Sequence, residues 1–210
     1  MKRFIEGEKI EVAIYGGSFN PIHNDHIRIA KEVLNHLNFV QQIWFLPCYK
    51  SLYNKELLDG NERCRMIQLA IDEVEDSRLR LCDYEIVNQF NGSTHQFCRM
   101  FLEDKEYKDT YKFRFLMGAD NAQKIITWDK SDELLKLIDL IVVSRPGVRL
   151  EPSWFMYSKR HIFLQLLDSN LPLISSSTIR RDIRDFREDN VRSMVPLSVS
   201  DYIYSNQFYR

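Results

Sequence analysis

Two histidines and a later arginine are the residues best suited to handling phosphate. His23 and His26 lie three positions apart, so a helix carrying both would turn them toward one ligand. They close the segment V-A-I-Y-G-G-S-F-N-P-I-H-N-D-H at 12–26. The apolar run at 12–15 predicts a buried strand, which Gly16 and Gly17 are expected to break. Residues 18–23 then turn the chain, with Pro21 fixing one backbone angle. From 24 or 25 onward, Ile27, Ile29, Ala30, Val33, Leu34 and Leu37 repeat at helical spacing. Glycines without Cβ atoms would let a ligand approach the backbone. The unpaired N–H groups and positive dipole end of the helix would attract an anion. The implied chemistry is polyphosphate binding. The segment is neither a Walker A loop, since G-x-x-x-x-G-K-[ST] is absent, nor the G-x-G-x-x-G dinucleotide fingerprint.

A second candidate anion site is I-S-S-S-T-I-R at 174–180. Ser175, Ser176 and Ser177 are residue types that cap helices, and such a helix start offers N–H groups to phosphates. Arg180 would add a planar, permanently charged fork. A third is G-A-D-N at 118–121, directly after the apolar run at 113–117; a carboxylate there, Asp120, can orient a ribose hydroxyl. Trp128 offers a flat face for an aromatic cation.

The first segment resembles the nucleotidyltransferase superfamily whose signature is G-x-F-x-P-x-H-x-G-H, and the histidine at position 23 points to the nicotinate and nicotinamide mononucleotide adenylyltransferases. The 174–180 segment resembles the I-S-S/A-T-x-I-R element of that superfamily, with Ser177 in place of the commoner threonine. The resemblance extends to Y-I-Y-S-N-Q-F-Y-R at the end of the sequence and so spans nearly the whole chain. It implies a Rossmann-like fold and transfer of AMP from ATP, taken up with Mg²⁺, to a pyridine mononucleotide in NAD biosynthesis. The bacterial acid-using branch is the closest in pattern, with nicotinate mononucleotide as acceptor and deamido-NAD and pyrophosphate as products. An enzyme preferring nicotinamide mononucleotide or accepting both, and a non-catalytic nucleotide-binding regulator, are the alternatives.

The same resemblance assigns roles. His23, His26 and Arg180 would be catalytic. Gly16, Gly17, Ser18, Phe19, Gly118, Asp120, Arg145, Ser175, Ser176 and Ser177 would join them around ATP. Ser18, Phe19, Lys55, Thr94, Asp120 and Trp128 would hold the mononucleotide, with Trp128 stacked on the pyridine ring and Lys50 as the rival of Lys55. Two departures stand out: Asp25 occupies the usual glycine position, placing a carboxylate beside the expected phosphate site, and Asp129 follows Trp128 where relatives often have tyrosine.

The elements that must position these groups alternate. Strands are expected at 42–47, 79–82, 113–117, 140–143 and 161–166. Helices are expected at 61–74 (capped by Asn61), 94–102, 122–126, 132–138, from about 174, and at 198–205. A loop is expected at 86–93 and a solvated connection at 104–112. This alternation predicts a doubly wound α/β domain with a mostly parallel sheet covered on both faces. Without repeats or linkers, 1–210 counts as one domain. The glycine turn, G-A-D-N, S-R-P-G at 144–147 and I-S-S-S-T-I-R all follow strand-like runs, so they should meet beyond the strands' carboxyl ends. Apolar and charged shares of 44% and 28% fit a globular chain, and a net charge of −1 argues against a broad nucleic-acid footprint. No apolar run is long enough for a membrane span and no signal peptide is expected, so the expected compartment is the cytoplasm. Cys48, Cys64, Cys82 and Cys98 lack metal-ligand spacing and are expected as reduced thiols. His36, His95 and His161 are expected to be structural. Oligomeric state leaves no signature.

Overall fold

A computed structural model describes residues 9–50, 56–144, 158–165 and 174–210. Its centre is β1 (Ile10–Gly17), whose middle residues are buried on both sides. β1 pairs in parallel with β2 (Gln42–Pro47) and β4 (Tyr111–Gly118). Adding β3 (Leu79–Leu81), β5 (Asp139–Ser144) and β6 (Ile162–Gln165) gives, among the described residues, a parallel sheet ordered β3-β2-β1-β4-β5-β6. The direction of winding reverses between β1 and β4, and ligands in such sheets bind outside the carboxyl ends at that reversal.

Successive residues of a strand point to opposite faces. Ala13 and Tyr15 therefore enter one apolar layer, and Val12 and Ile14 the other. The first layer is roofed by α1 (Asn24–His36), α2 (Gly60–Val74), α7 (Ser176–Arg184), α8 (Glu188–Met194) and α9 (Leu197–Ser205), through Val33, Met66, Ile179, Val191 and Ile203. The second is covered by α4 (Thr94–Glu103), α5 (Ala119–Ala122), a 3-10 turn (Ile125–Thr127) and α6 (Ser131–Leu137), through Phe97, Phe101, Ala122, Ile125 and Leu134.

Several boundaries differ from the sequence reading. β1 is not broken at Gly16 and Gly17, because both remain in register with Leu46 and Pro47 of β2. Asp59, not Asn61, caps α2: its carboxylate accepts the Asn61 N–H at 2.8 Å. Within the expected loop at 86–93 and just before it lies α3 (Tyr84–Val87), pinned by buried Ile86. The helix expected at 122–126 is instead α5 followed by the 3-10 turn. α8 went unread because Val191 is its one buried residue, too little for a periodic signal. The connection at 104–112 is not wholly solvated: the Tyr107 ring stacks on Phe101 at 4.6 Å. His161 precedes β6 and is buried; its Nδ1 accepts the Leu140 N–H at 3.2 Å. The four cysteines are free thiols.

Candidate active site

The turn after β1 is built differently from the simple glycine gap expected. A Cβ on Gly16 would stand 2.6 Å from the Phe115 ring, and one on Gly17 would stand 3.0 Å from the Phe19 ring. Phenylalanine rings take up the Cβ space beside both glycines. Phe19 itself turns its ring into the core, against Tyr15, His26 and Phe45, and takes a left-handed backbone (φ 44°). With its ring in the core, Phe19 has its main chain left to meet a ligand at the turn. Ser18 is half-buried. Beside Gly118 the situation is reversed: a Cβ there meets nothing within 4 Å.

His23 is the N-cap of α1 and His26 its third helical residue. Their rings stack with centroids 3.7 Å apart. His23 is only 2% exposed, so the pair sits deeper than an open helix mouth would place it. The His23 backbone N–H donates to His26 Nδ1 at 3.2 Å. An accepting Nδ1 carries no proton, so in the neutral ring the proton lies on Nε2, and that nitrogen is a donor.

The two motifs read separately in the sequence are tied together here. Ser175 caps α7, its hydroxyl accepting the Thr178 N–H at 3.1 Å. Ser176 Oγ donates to the Pro21 carbonyl at 2.9 Å, and Arg180 Nη1 donates to the Asn20 carbonyl at 2.6 Å. Asp25 completes the link. Its buried carboxylate accepts the Ile174 N–H at 3.2 Å and pairs with Arg28 at 3.0 Å. The acid standing in the glycine position thus fastens the start of α7, and a guanidinium balances its charge. Ser177 is the exposed serine of the three.

Across the sheet edge, on the other apolar layer, half-buried Trp128 follows the 3-10 turn; its Nε1 is buried without a hydrogen-bond partner among the described residues. Ser93, the N-cap of α4, donates from Oγ to Asp129 at 2.8 Å. That bond joins the residue after Trp128 to the cap residue before Thr94. Asp120 is exposed in α5, which Gly118 caps. Lys50 lies over the Tyr49 ring at 5.8 Å. Lys55 and Arg145 lie outside the described residues.

Three residues that organise these loops escaped the sequence reading. Arg63 is 1% exposed and donates from Nε to the Leu58 carbonyl (2.9 Å), from Nη1 to Ser18 (2.8 Å) and from Nη2 to Cys48 (2.8 Å). One guanidinium thereby holds the turn after β1, the exit of β2 and the entry to α2. A signal existed: Arg63 stands on the apolar stripe of Met66, Ile67 and Ala70, where a charge needs partners. Asn20 is also buried; its Oδ1 accepts from the Leu58 N–H (3.3 Å) and the Tyr209 hydroxyl (2.8 Å). Glu85 accepts the Tyr49 N–H at 3.1 Å, and burial pushes its carboxyl up to about 7 against the pull of that N–H and of Arg63. Among the described residues, no group of three His, Cys, Asp or Glu side chains could hold a metal ion, and no helix is long and apolar enough to cross a membrane.

Such an edge, with two helix starts, a histidine pair and an arginine around one turn, is suited to a polyanion. Comparison with known proteins agrees. Residues 14–182 match the cytidylyltransferase-like family. A probable nicotinate-nucleotide adenylyltransferase of Streptococcus pyogenes is 32% identical over 206 residues, covering 98% of this chain and 91% of the relative. The nicotinate-nucleotide adenylyltransferase of Bacillus subtilis is 30% identical over 203 residues, covering 95% and 98%. In fold, the chain is similar to the Plasmodium falciparum nicotinic acid mononucleotide adenylyltransferase complexed with NaAD, with a TM-score of 0.80 and 24% identity over 95% of this chain and 97% of that one. The chain therefore belongs to the cytidylyltransferase-like family, among its nicotinate-nucleotide adenylyltransferases.

Proposed function

We propose that this chain transfers AMP from ATP to nicotinate mononucleotide, releasing pyrophosphate and forming deamido-NAD, as one domain over 1–210 working in the cytoplasm. The observation that carries the reading is the joining of the two anion-binding segments: Arg180 and Ser176 grip the Asn20 and Pro21 carbonyls, so the starts of α1 and α7 serve one phosphate chain. The names of the curated relatives point the same way.

The nucleophile is the mononucleotide's phosphate oxygen, ionised at neutral pH, so no general base is needed. A bond forms from that oxygen to the α-phosphorus of ATP. The bond from the α-phosphorus to the bridging oxygen breaks, and its electron pair leaves with pyrophosphate. What remains for the protein is placement and charge stabilisation. His26 donates from Nε2 to phosphate oxygens, with His23 beside it. Arg180 and the N–H groups at Ser175, Ser176 and Ser177 receive the leaving pyrophosphate. Mg²⁺ would enter with the ATP substrate and offset phosphate charge.

Gly16, Gly17, Ser18 and Phe19 contribute main chain to both substrates. The open side of Gly118 and the Asp120 carboxylate take the adenosine, with Arg145 beside it. Trp128 stacks on the pyridine ring near Thr94, and Lys50 or Lys55 meets the mononucleotide phosphate. The acid form is taken as the acceptor on the names of the curated relatives. Purified protein with ATP, Mg²⁺ and nicotinate mononucleotide should release pyrophosphate and yield a product with the mass of deamido-NAD. Absence of both with active-site ATP bound would overturn the reading.

A further inference from the structure

After α9 the chain does something costly. Gln207 and Tyr209 adopt left-handed backbones, φ 56° and 66°. Side chains rarely tolerate that region, and it persists where surrounding contacts over-determine it. Here Phe208 packs edge-on against Tyr202 with centroids 5.7 Å apart, and its N–H returns to the Ile203 carbonyl at 3.1 Å. The bend directs Tyr209 inward to a partner 189 positions away, the Asn20 side-chain carbonyl, which its hydroxyl reaches at 2.8 Å.

Asn20 is the residue through which the turn after β1 meets everything around it. Its side-chain oxygen has two lone pairs, and both are used, one by Tyr209 and one by the Leu58 N–H. Its backbone carbonyl holds Arg180. Tyr209 also lies within electrostatic reach of both Arg180 and Arg63; burial raises its phenol while the two guanidiniums pull it back down. The ring therefore sits behind the turn, next to the arginine, with no role yet assigned to it.

We propose that Tyr209 is a positioning residue for the transfer reaction: by fixing the Asn20 side chain it sets the carbonyl on which the Arg180 guanidinium rests, and so the placement of that guanidinium toward phosphate. It touches no substrate. The inference rests on the adenylyl-transfer reading for its kinetic consequence, but its physical content is the affinity of the Arg180 site for ATP.

The test is a double-mutant cycle on the full chain with Tyr209→Phe and Arg180→Lys. Tyr209→Phe removes one hydroxyl and keeps the ring and its packing, so the unfolding midpoint should move by less than about 5 °C. In the wild-type background it should weaken ATP binding, measured by calorimetry, and lower kcat/KM for ATP by about tenfold, since a small misplacement of a binding group is expensive. KM for the mononucleotide should stay within about twofold, because Trp128 and Thr94 lie on the other layer of the sheet. In the Arg180→Lys background, where the guanidinium that rests on the Asn20 carbonyl is already gone, the added loss should be under about twofold. Unchanged ATP affinity in Tyr209→Phe, or equal losses in both backgrounds, would overturn the proposal. Calorimetry with ATP alone answers this whichever acceptor the enzyme uses, whereas a wild type that binds ATP without turnover would count against the reaction only.

Discussion

Replacing Arg63 with methionine removes one buried cation and three hydrogen bonds, to Leu58, Ser18 and Cys48. Each abandoned carbonyl loses a charged donor, at a cost of about 1–3 kcal/mol if water does not reach it. Against this, the guanidinium no longer has to be stripped of water, which returns several kcal/mol. Breaking one side of a buried polar arrangement typically leaves a net loss of about 3–5 kcal/mol. In a chain of 210 residues, each kcal/mol lowers the melting temperature by about 2–4 °C. The methionine variant should therefore melt about 6–20 °C below wild type, as followed by circular dichroism at 222 nm. Arg63→Lys keeps the charge but reaches fewer of the three carbonyls, so it should fall between the two. A methionine variant melting within about 3 °C of wild type would mean that the carbonyls had found other partners and that apolar volume can replace the arginine, contrary to this expectation.

Glu85 predicts a pH dependence. Its carboxyl is raised by burial from 4.5 to about 7, so the folded state holds a proton that the unfolded state gives up across that window. Stability should fall as pH rises from about 4.5 to 7, and Glu85→Gln, measured by urea unfolding, should flatten that slope by about 1–2 kcal/mol, discounted for partial exposure; an unchanged slope contradicts it. Asp25→Ala should destabilise the fold by about 1–3 kcal/mol and raise KM for ATP, since the start of α7 loses its carboxylate anchor; unchanged denaturation and kinetics would show the Ile174 bond to be incidental. His26→Ala should lower kcat by about 10²-fold or more as a preorganised donor disappears, and near-wild-type turnover would remove it from the mechanism. Trp128→Ala should raise KM for the mononucleotide about three- to thirtyfold and leave KM for ATP nearly unchanged; equal damage to both would assign the tryptophan to the core.

The strand, turn and helix from 10 to 36 were legible because three local signals coincide there: an apolar run, glycine and proline punctuation, and helical spacing of aliphatic residues. The parallel sheet followed from the alternation of such segments. What could not be read were the joints. Arg63 meets the Ser18 carbonyl across 45 positions, Asp25 meets Ile174 across 149, and Tyr209 meets Asn20 across 189. Side-chain hydrogen bonds of that range have no period and no local composition. Asp25 is instructive: as a residue type it suggested repulsion near phosphate, while its actual partners, a backbone N–H and Arg28, make it a fastener. The packing role of the glycines was equally unreadable: the Cβ space beside Gly16 and Gly17 belongs to two phenylalanines. α8 was missed for lack of an apolar face, and α3 because a single buried isoleucine anchors a helix of one turn.

This edge of the sheet cuts ATP between its α- and β-phosphorus atoms and hands the AMP to an acid mononucleotide. ATP labelled at the α-phosphorus, supplied with Mg²⁺ and an equal mixture of nicotinate and nicotinamide mononucleotides, each below saturation, follows that transfer. The label should leave ATP, avoid the pyrophosphate and accumulate in deamido-NAD faster than in NAD. Label accumulating faster in NAD, or staying in ATP while the protein binds it, would contradict the account.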